Sequence, residues 1–128
     1  MFIKTICCKK KAWKYEVNSS GVSALSKLSA ALASQKDLEI LVEGHTDSIP
    51  LSGRGLVKDN WDLSVMRATN VVKVLLKTPS LDPLQLTAAG RAKFVPIATN
   101  KTKEGRSANR RIEMILSPNL DDLFELLE

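Results

Sequence analysis

The sequence predicts an α/β (α+β) two-layer sandwich, βαβαββ in order, with a mixed sheet and helices packed on one of its faces. Three observations predict it. Val22, Leu25, Leu28 and Leu32 recur at helical spacing, and the stretch that follows, Leu38-Glu39-Ile40-Leu41-Val42-Glu43, alternates as a half-buried strand does. A second helix followed by a second strand occupies residues 60–90. The chain then finishes strand to strand, which adds an antiparallel member to an otherwise parallel, helix-joined order.

Each element has a local cause. Residues 1–17 read as an atypical leader, with the first strand placed at residues 13–17. Asn18-Ser19-Ser20-Gly21 supplies capping groups, and the first helix is expected over residues 20–34. Gln35-Lys36-Asp37 turns the chain into the strand "LEILVEGH", closed by Gly44. Pro50, Gly53 and Gly55 make residues 48–59 a loop. The second helix, "NWDLSVMRATNVVKVLLK", starts with Asn60 as expected cap and buries Leu63, Ala68, Val71, Val72 and Leu75. Thr78-Pro79-Ser80 ends it, and Asp82-Pro83 turns into the strand "LQLTAAG". Pro96, Asn100 and Gly105 mark a long connection. "RRIEMILSP" is the last strand, with Ile112, Met114 and Leu116 on one face. Residues 119–128 form an acidic tail or short amphipathic helix.

Composition narrows the function classes. The 128 residues, 44% hydrophobic and 26% charged, suit one soluble domain with a single core. No apolar run reaches the roughly 20 residues of a membrane span, and "MFIKTICCKKKAWK" lacks a signal-peptide core. If the protein works outside the cytoplasm, its export signal is expected outside this chain. The net charge of +5 is uneven, with Lys4, Lys9, Lys10, Lys11 and Lys14 in the leader against Asp121, Asp122, Glu125 and Glu128 at the end. Cys7 and Cys8 are adjacent, a poor arrangement for bridging one another, and with one distant histidine they do not make a zinc site.

Catalytic chemistry finds little support. His45 is the only imidazole, and no nucleophile motif accompanies it. His45 and Asp47 share a strand face, but a metal would need further ligands of convincing spacing. "GRGL" lacks the lysine of a phosphate loop. No enzyme activity, metal or cofactor is expected. The strongest constellation is Asp47, leaving the strand, with Arg67 one turn into the second helix and Ser64 three residues earlier. These two charges either bridge one another or, left partly open, receive a zwitterion, the arginine fork on its carboxylate and the aspartate on its ammonium.

"GHTD", "NWDLSVMRA" and "NKTKEGRSANRRIEM" stand in this order in the chain. Over residues 18–118 the chain resembles the OmpA-like peptidoglycan-binding domain of OmpA, Pal and MotB proteins, whose blocks read G-H-T-D, N-x-x-L-S-x-x-R-A and N-x-T-x-x-G-R-x-x-N-R-R. The long loop over residues 48–59 and the "NW" before "DLS" are closer to MotB-like members. The resemblance implies non-covalent binding of peptidoglycan through the meso-diaminopimelate of the stem peptide, anchoring an envelope protein to the wall. It implies Asp47 and Arg67 as the ligand's charge partners, with Asn60 and backbone or side-chain help from Thr46 and Leu63, and Arg110 either contributing at the rim or pairing with an acidic neighbour. His45, Ser64, Arg106 and Asn109 would support the site. It further implies a periplasmic setting, membrane association only through a part of the parent outside this chain, and a homodimer as in MotB-like members. The family's opening strand, L-F-x-x-G, has no counterpart in "TICCKKKAWKYEV". The alternative is a small basic nucleic-acid-binding domain using the lysine leader with Arg106, Arg110 and Arg111. The few aromatic residues and the scattered basic groups count against it, and no nucleic-acid partner is expected.

Overall fold

The computed structural model describes residues 2–7, 16–53 and 55–127. Four strands, β1 (Phe2–Cys7), β2 (Leu38–Gly44), β3 (Leu86–Gly90) and β4 (Arg111–Pro118), form one sheet in the order β1-β4-β2-β3. The helices are α1 (Ser19–Leu32), α2 (Asn60–Leu75), the short α3 (Lys103–Asn109) and α4 (Asp121–Glu125). β2 and β3 are parallel, joined by the α2 crossover, whereas β4 runs antiparallel to both β2 and β1. The sheet is therefore mixed, as the strand-to-strand finish required.

The core lies between one sheet face and the helix pair. Ile40 and Val42 of β2 and Ile112 and Met114 of β4 point into it, and Leu25, Leu32, Ala68, Val71 and Leu75 meet them from α1 and α2. Alternation in β2 leaves Glu39 exposed and Leu41 and Glu43 only partly covered on the opposite face. Burying each such leucine or isoleucine contributes roughly 1.5–3 kcal/mol, and this drives the helices onto the sheet. Two polar ties fix the packing. Ser29, fully buried on α1, donates to the Leu75 carbonyl of α2 at 2.8 Å. Gln85 Nε2 donates to the carbonyls of Gln35 and Leu38, both at 2.8 Å, pinning the turn between α1 and β2.

Close approach of α2 to the strand ends depends on two glycines. Gly44 and Gly90 are register partners at the ends of β2 and β3. A Cβ on Gly44 would collide with the Ser64 carbonyl, and one on Gly90 with the Ser64 side chain and the Val65 backbone. Without side chains there, the first turns of α2 rest directly on the sheet.

The structure departs from the sequence expectations in four places. The first strand is Phe2–Cys7, paired with β4 from Phe2↔Leu116 to Cys7↔Arg111. Of the segment expected to form it, residues 13–15 lie outside the described residues, and Glu16 and Val17 are not in a strand. Cys8 also lies outside them. The cap of α2 is Asp59, whose side chain accepts from the Asp62 N–H, and Asn60 is already the first helical residue. Leu84 and Gln85 belong to a 3₁₀ turn, Pro83–Gln85, so β3 starts at Leu86. The connection before β4 contains α3, capped by Thr102, whose hydroxyl accepts from the Gly105 N–H at 3.0 Å.

Candidate functional site

The site forms where β2 ends. His45, Thr46 and Asp47 continue the strand past its last ladder partner and are all buried. The His45 N–H donates to the Arg111 carbonyl and the Thr46 N–H to the Ala92 carbonyl, both at 2.9 Å, so the segment stays clamped between β4 and the loop after β3. Ala92 adopts a left-handed conformation (φ 49°). Its own N–H donates to Ser64 Oγ at 3.1 Å, which ties that loop to α2.

Asp47 is held from both sides. Its Oδ1 accepts from the Ile49 N–H at 3.1 Å, closing a local turn. Its Oδ2 receives Arg110 Nη1 at 2.6 Å, with the side chains 3% and 15% exposed for Asp47 and Arg110. Asp47 is thus ion-paired with Arg110, on the segment leading into β4. Arg110 keeps its Nε buried with no hydrogen-bond partner. Arg67 projects from α2 as a buried residue (3% exposed) and is engaged within the fold. Asn60 bridges helix and loop, its Nδ2 donating to the Ile49 carbonyl at 3.1 Å and reaching the Asp47 carbonyl at 3.5 Å.

The assisting residues divide by role. Thr46 Oγ1 donates to the Asp47 carbonyl at 2.9 Å. The Leu63 side chain is fully buried and its N–H is used by the Asp59 carbonyl. Asn109 uses all four of its hydrogen-bonding positions. Oδ1 accepts from Ile97 and Ala98, and Nδ2 donates to the Ala98 carbonyl and Asn100 Oδ1. Arg106 Nη1 donates to the Asn100 carbonyl at 2.9 Å. These two residues fix the loop that delivers Arg110.

His45 turns away from Asp47. Its Nε2 lies 2.8 Å from Glu43 Oε1 and 3.8 Å from Glu113 Oε2, carboxylates on register-paired residues of β2 and β4. Burial lowers the His45 pKa, the Arg111 guanidinium adds to that effect, and Glu113 and Glu43 oppose it. The ring is neutral at pH 7, with the Nε2 proton donated to Glu43. Among the described residues, Glu43, His45 and Glu113 are the group whose atoms come close enough to share a metal ion. In this structure the positive charge beside them is Arg111, whose Nε donates to Glu113 Oε1 at 2.8 Å.

Arg111, which the sequence offered only as a basic group for the nucleic-acid alternative, is instead a buried part of this cluster. It is 1% exposed, and its guanidinium also donates to the carbonyls of Asn109 and Val95. The signal available was its position one step before the apolar face of β4, next to a glutamate two residues on.

A mixed four-stranded sheet under two helices, with the H-T-D segment at the open end of β2 and an arginine returning to it, defines a class of α/β sandwich domain with a strand-end site. The chain belongs to the OmpA family, whose pattern matches residues 13–110. It is 37% identical over 105 residues to motility protein B of Bacillus subtilis, an alignment covering 82% of this chain and 40% of that protein. It is 44% identical over 79 residues to outer membrane protein A of Bordetella avium, covering 61% and 38%. The periplasmic domain of Helicobacter pylori MotB superposes with a TM-score of 0.83 at 26% identity, covering 98% of this chain and 88% of that one. The cell wall anchor of the T6SS from Pseudomonas aeruginosa superposes at 0.78 with 32% identity, covering 91% and 80%. The chain spans about 40% of the length of the Bacillus relative. No helix among the described residues is long and apolar enough to cross a membrane.

Proposed function

We propose that this domain binds peptidoglycan non-covalently, through the meso-diaminopimelate of the stem peptide, and so holds an envelope protein to the wall in the periplasm. One observation carries the reading: the Asp47 carboxylate, fixed by its own turn, is met at 2.6 Å by a guanidinium from a distant segment. Diaminopimelate ends in an ammonium and a carboxylate on one carbon. A site for it needs an anion and a forked cation at fixed separation. Asp47 takes the ammonium, which displaces Arg110 from Oδ2. Arg67 and the released Arg110 fork take the carboxylate, Arg110 offering the Nε that makes no bond in the free protein. Asn60 and Thr46 hold the Asp47 loop in position. Family membership and the likeness to a cell wall anchor support the same reading.

Each charge-assisted hydrogen bond contributes about 1.5–3 kcal/mol where partly shielded. Two or three of them give roughly micromolar to millimolar affinity per site after ordering costs. A polymeric wall lengthens residence by rebinding, more so if the parent protein dimerises. Binding of this kind makes and breaks no covalent bond.

Co-sedimentation of the purified domain with sacculi tests the proposal. Diaminopimelate-type sacculi should retain it, and lysine-type sacculi, lacking the terminal carboxylate, should retain it less. Asp47→Ala and Arg67→Ala should each abolish retention while the circular dichroism spectrum stays native. Retention of the folded double variant at the wild-type level would refute the assignment.

A further inference from the structure

We infer that Ala92 is a positioning residue that sets the specificity of the site, an inference that rests on the wall-binding reading. Its peptide ties the strand segment carrying Asp47 to the helix carrying Arg67, and so fixes the preference for a side chain ending in both an ammonium and a carboxylate. Ala92 lies outside the three sequence blocks that carry the family resemblance. Among the described residues it is the one that adopts a positive φ without being glycine, and it is fully buried. A left-handed alanine is disfavoured by its own Cβ and persists only where the surroundings over-determine it, a pattern that marks functional positions.

The bonds of Ala92 show what holds it there. Its carbonyl accepts from the Thr46 N–H at 2.9 Å, and its N–H donates to Ser64 Oγ at 3.1 Å. The Ser64 hydroxyl in turn donates to the Trp61 carbonyl at 2.9 Å. An extended residue points its N–H and its carbonyl toward the same neighbouring strand. The left-handed turn parts them, sending the N–H to α2 while the carbonyl stays with the continuation of β2. One residue thereby bridges the two halves of the site. Thr46 directly precedes Asp47, and Ser64 lies three residues before Arg67 on α2.

The bridge has little slack. Ala92, Ser64 and Thr46 are all buried, so water does not readily replace these bonds. Gly44 and Gly90 remove the Cβ atoms that would hold Ser64 off the sheet. A zwitterion is recognised by an anion and a forked cation at fixed separation, whereas a lone ammonium needs only the anion. Loss of the bridge lets α2 shift against the Asp47 turn. Asp47 keeps its ammonium contact, because its own turn is closed locally through the Ile49 N–H. The carboxylate contact of Arg67 weakens, so selectivity falls further than ammonium binding does.

Calorimetric titration of the folded domain with two stem peptides, one carrying meso-diaminopimelate and the other lysine in its place, tests this. The ratio of the two affinities is the readout, because a loss of folded protein scales both alike. The wild type should prefer the diaminopimelate peptide about tenfold or more, as one shielded charge-assisted bond implies. Ser64→Ala removes the acceptor for the Ala92 N–H, and Ala92→Val adds a branched side chain that resists positive φ. Each should bring the ratio to within about threefold of unity. Ala92→Gly, which adopts positive φ freely, should keep most of the preference. Leu25→Ala, a core change on α1, should lower the urea midpoint and leave the ratio at the wild-type value. A wild-type ratio in either folded bridge variant, or a collapse of the ratio in Leu25→Ala, would overturn the positioning role and leave wall binding standing. A wild type that binds neither peptide, or both equally, would remove the diaminopimelate reading and the inference with it.

Discussion

Arg110 Nη1 donates to Asp47 Oδ2 at 2.6 Å across 63 positions of sequence, joining the turn after β2 to the residue just before β4. The Asp47 side chain is 3% exposed and that of Arg110 is 15% exposed, so the pair is partly shielded from water and neither charge has full solvation to fall back on. Asp47→Asn keeps the Oδ1 bond to Ile49 and removes only the charge. It should lower stability to urea by about 1–3 kcal/mol, at the modest end for shielded pairs because Arg110 retains some exposure. Adding Arg110→Gln should recover part of that loss. A double-mutant cycle with coupling below about 0.5 kcal/mol would show that the pair does not act as a unit.

His45 gives the domain a pH dependence of defined sign. Its pKa in the folded state is lowered, first by burial and then by Arg111, from an ordinary value of 6.5. Below pH 6.5 the unfolded chain takes up a proton that the folded chain refuses, so folding stability falls as pH drops until the lowered pKa is reached. Above pH 6.5 the group contributes no slope. His45→Gln, which retains a donor for Glu43, should flatten the melting-temperature profile between pH 7 and pH 5.5. A wild-type profile flat over the same interval would contradict the assignment of a buried neutral ring.

The start of α2 tests which side chain caps it. Asp59→Ala removes the acceptor for the Asp62 N–H, seen at 2.8 Å, and should cost about 0.5–2 kcal/mol in thermal or urea unfolding. Asn60→Ala leaves that cap in place. It loosens the turn that Asn60 Nδ2 holds at Ile49, so its effect should be seen in ligand affinity more than in stability. The reverse ordering of the two variants would return the cap to Asn60.

Gly44→Ala probes how closely α2 must approach the sheet. The added methyl meets the Ser64 carbonyl, part of a helix backbone that cannot rotate aside. Overpacking of this kind costs typically 1–3 kcal/mol, roughly, and displaces the helix carrying Ser64 and Arg67. Lower urea midpoints together with weaker sacculus binding are expected. Wild-type values for both would mean the strand end tolerates a wider gap.

The sequence by itself determined the layers. α1, β2, α2 and β4 were legible because each is long enough to repeat its apolar spacing, as Ile40 and Val42 do against Glu39 and Glu43, and because Pro, Gly and capping residues bound it. The three ordered blocks containing Asp47, Arg67 and Arg110 were legible for a different reason, since they match a family pattern. β1 escaped because the lysine-rich residues after it masked the β-forming run Phe2-Ile3-Lys4-Thr5-Ile6. α3 escaped because seven residues with Gly105 among them have no apolar stripe, leaving only Thr102 and Glu104 as a start signal.

Tertiary structure alone decided the pairings. That Asp47 meets Arg110 depends on how β4 returns beside β2, and no local spacing encodes a contact 63 residues apart. The same holds for His45, turned toward Glu43 and Glu113 by the β2–β4 register, and for Trp61 against Phe94, whose rings meet between α2 and the loop after β3. Periodicity records which face of an element is apolar. Charge partners and exposed ring pairs are chosen by the packing of those faces, and that choice is made only when the chain is folded.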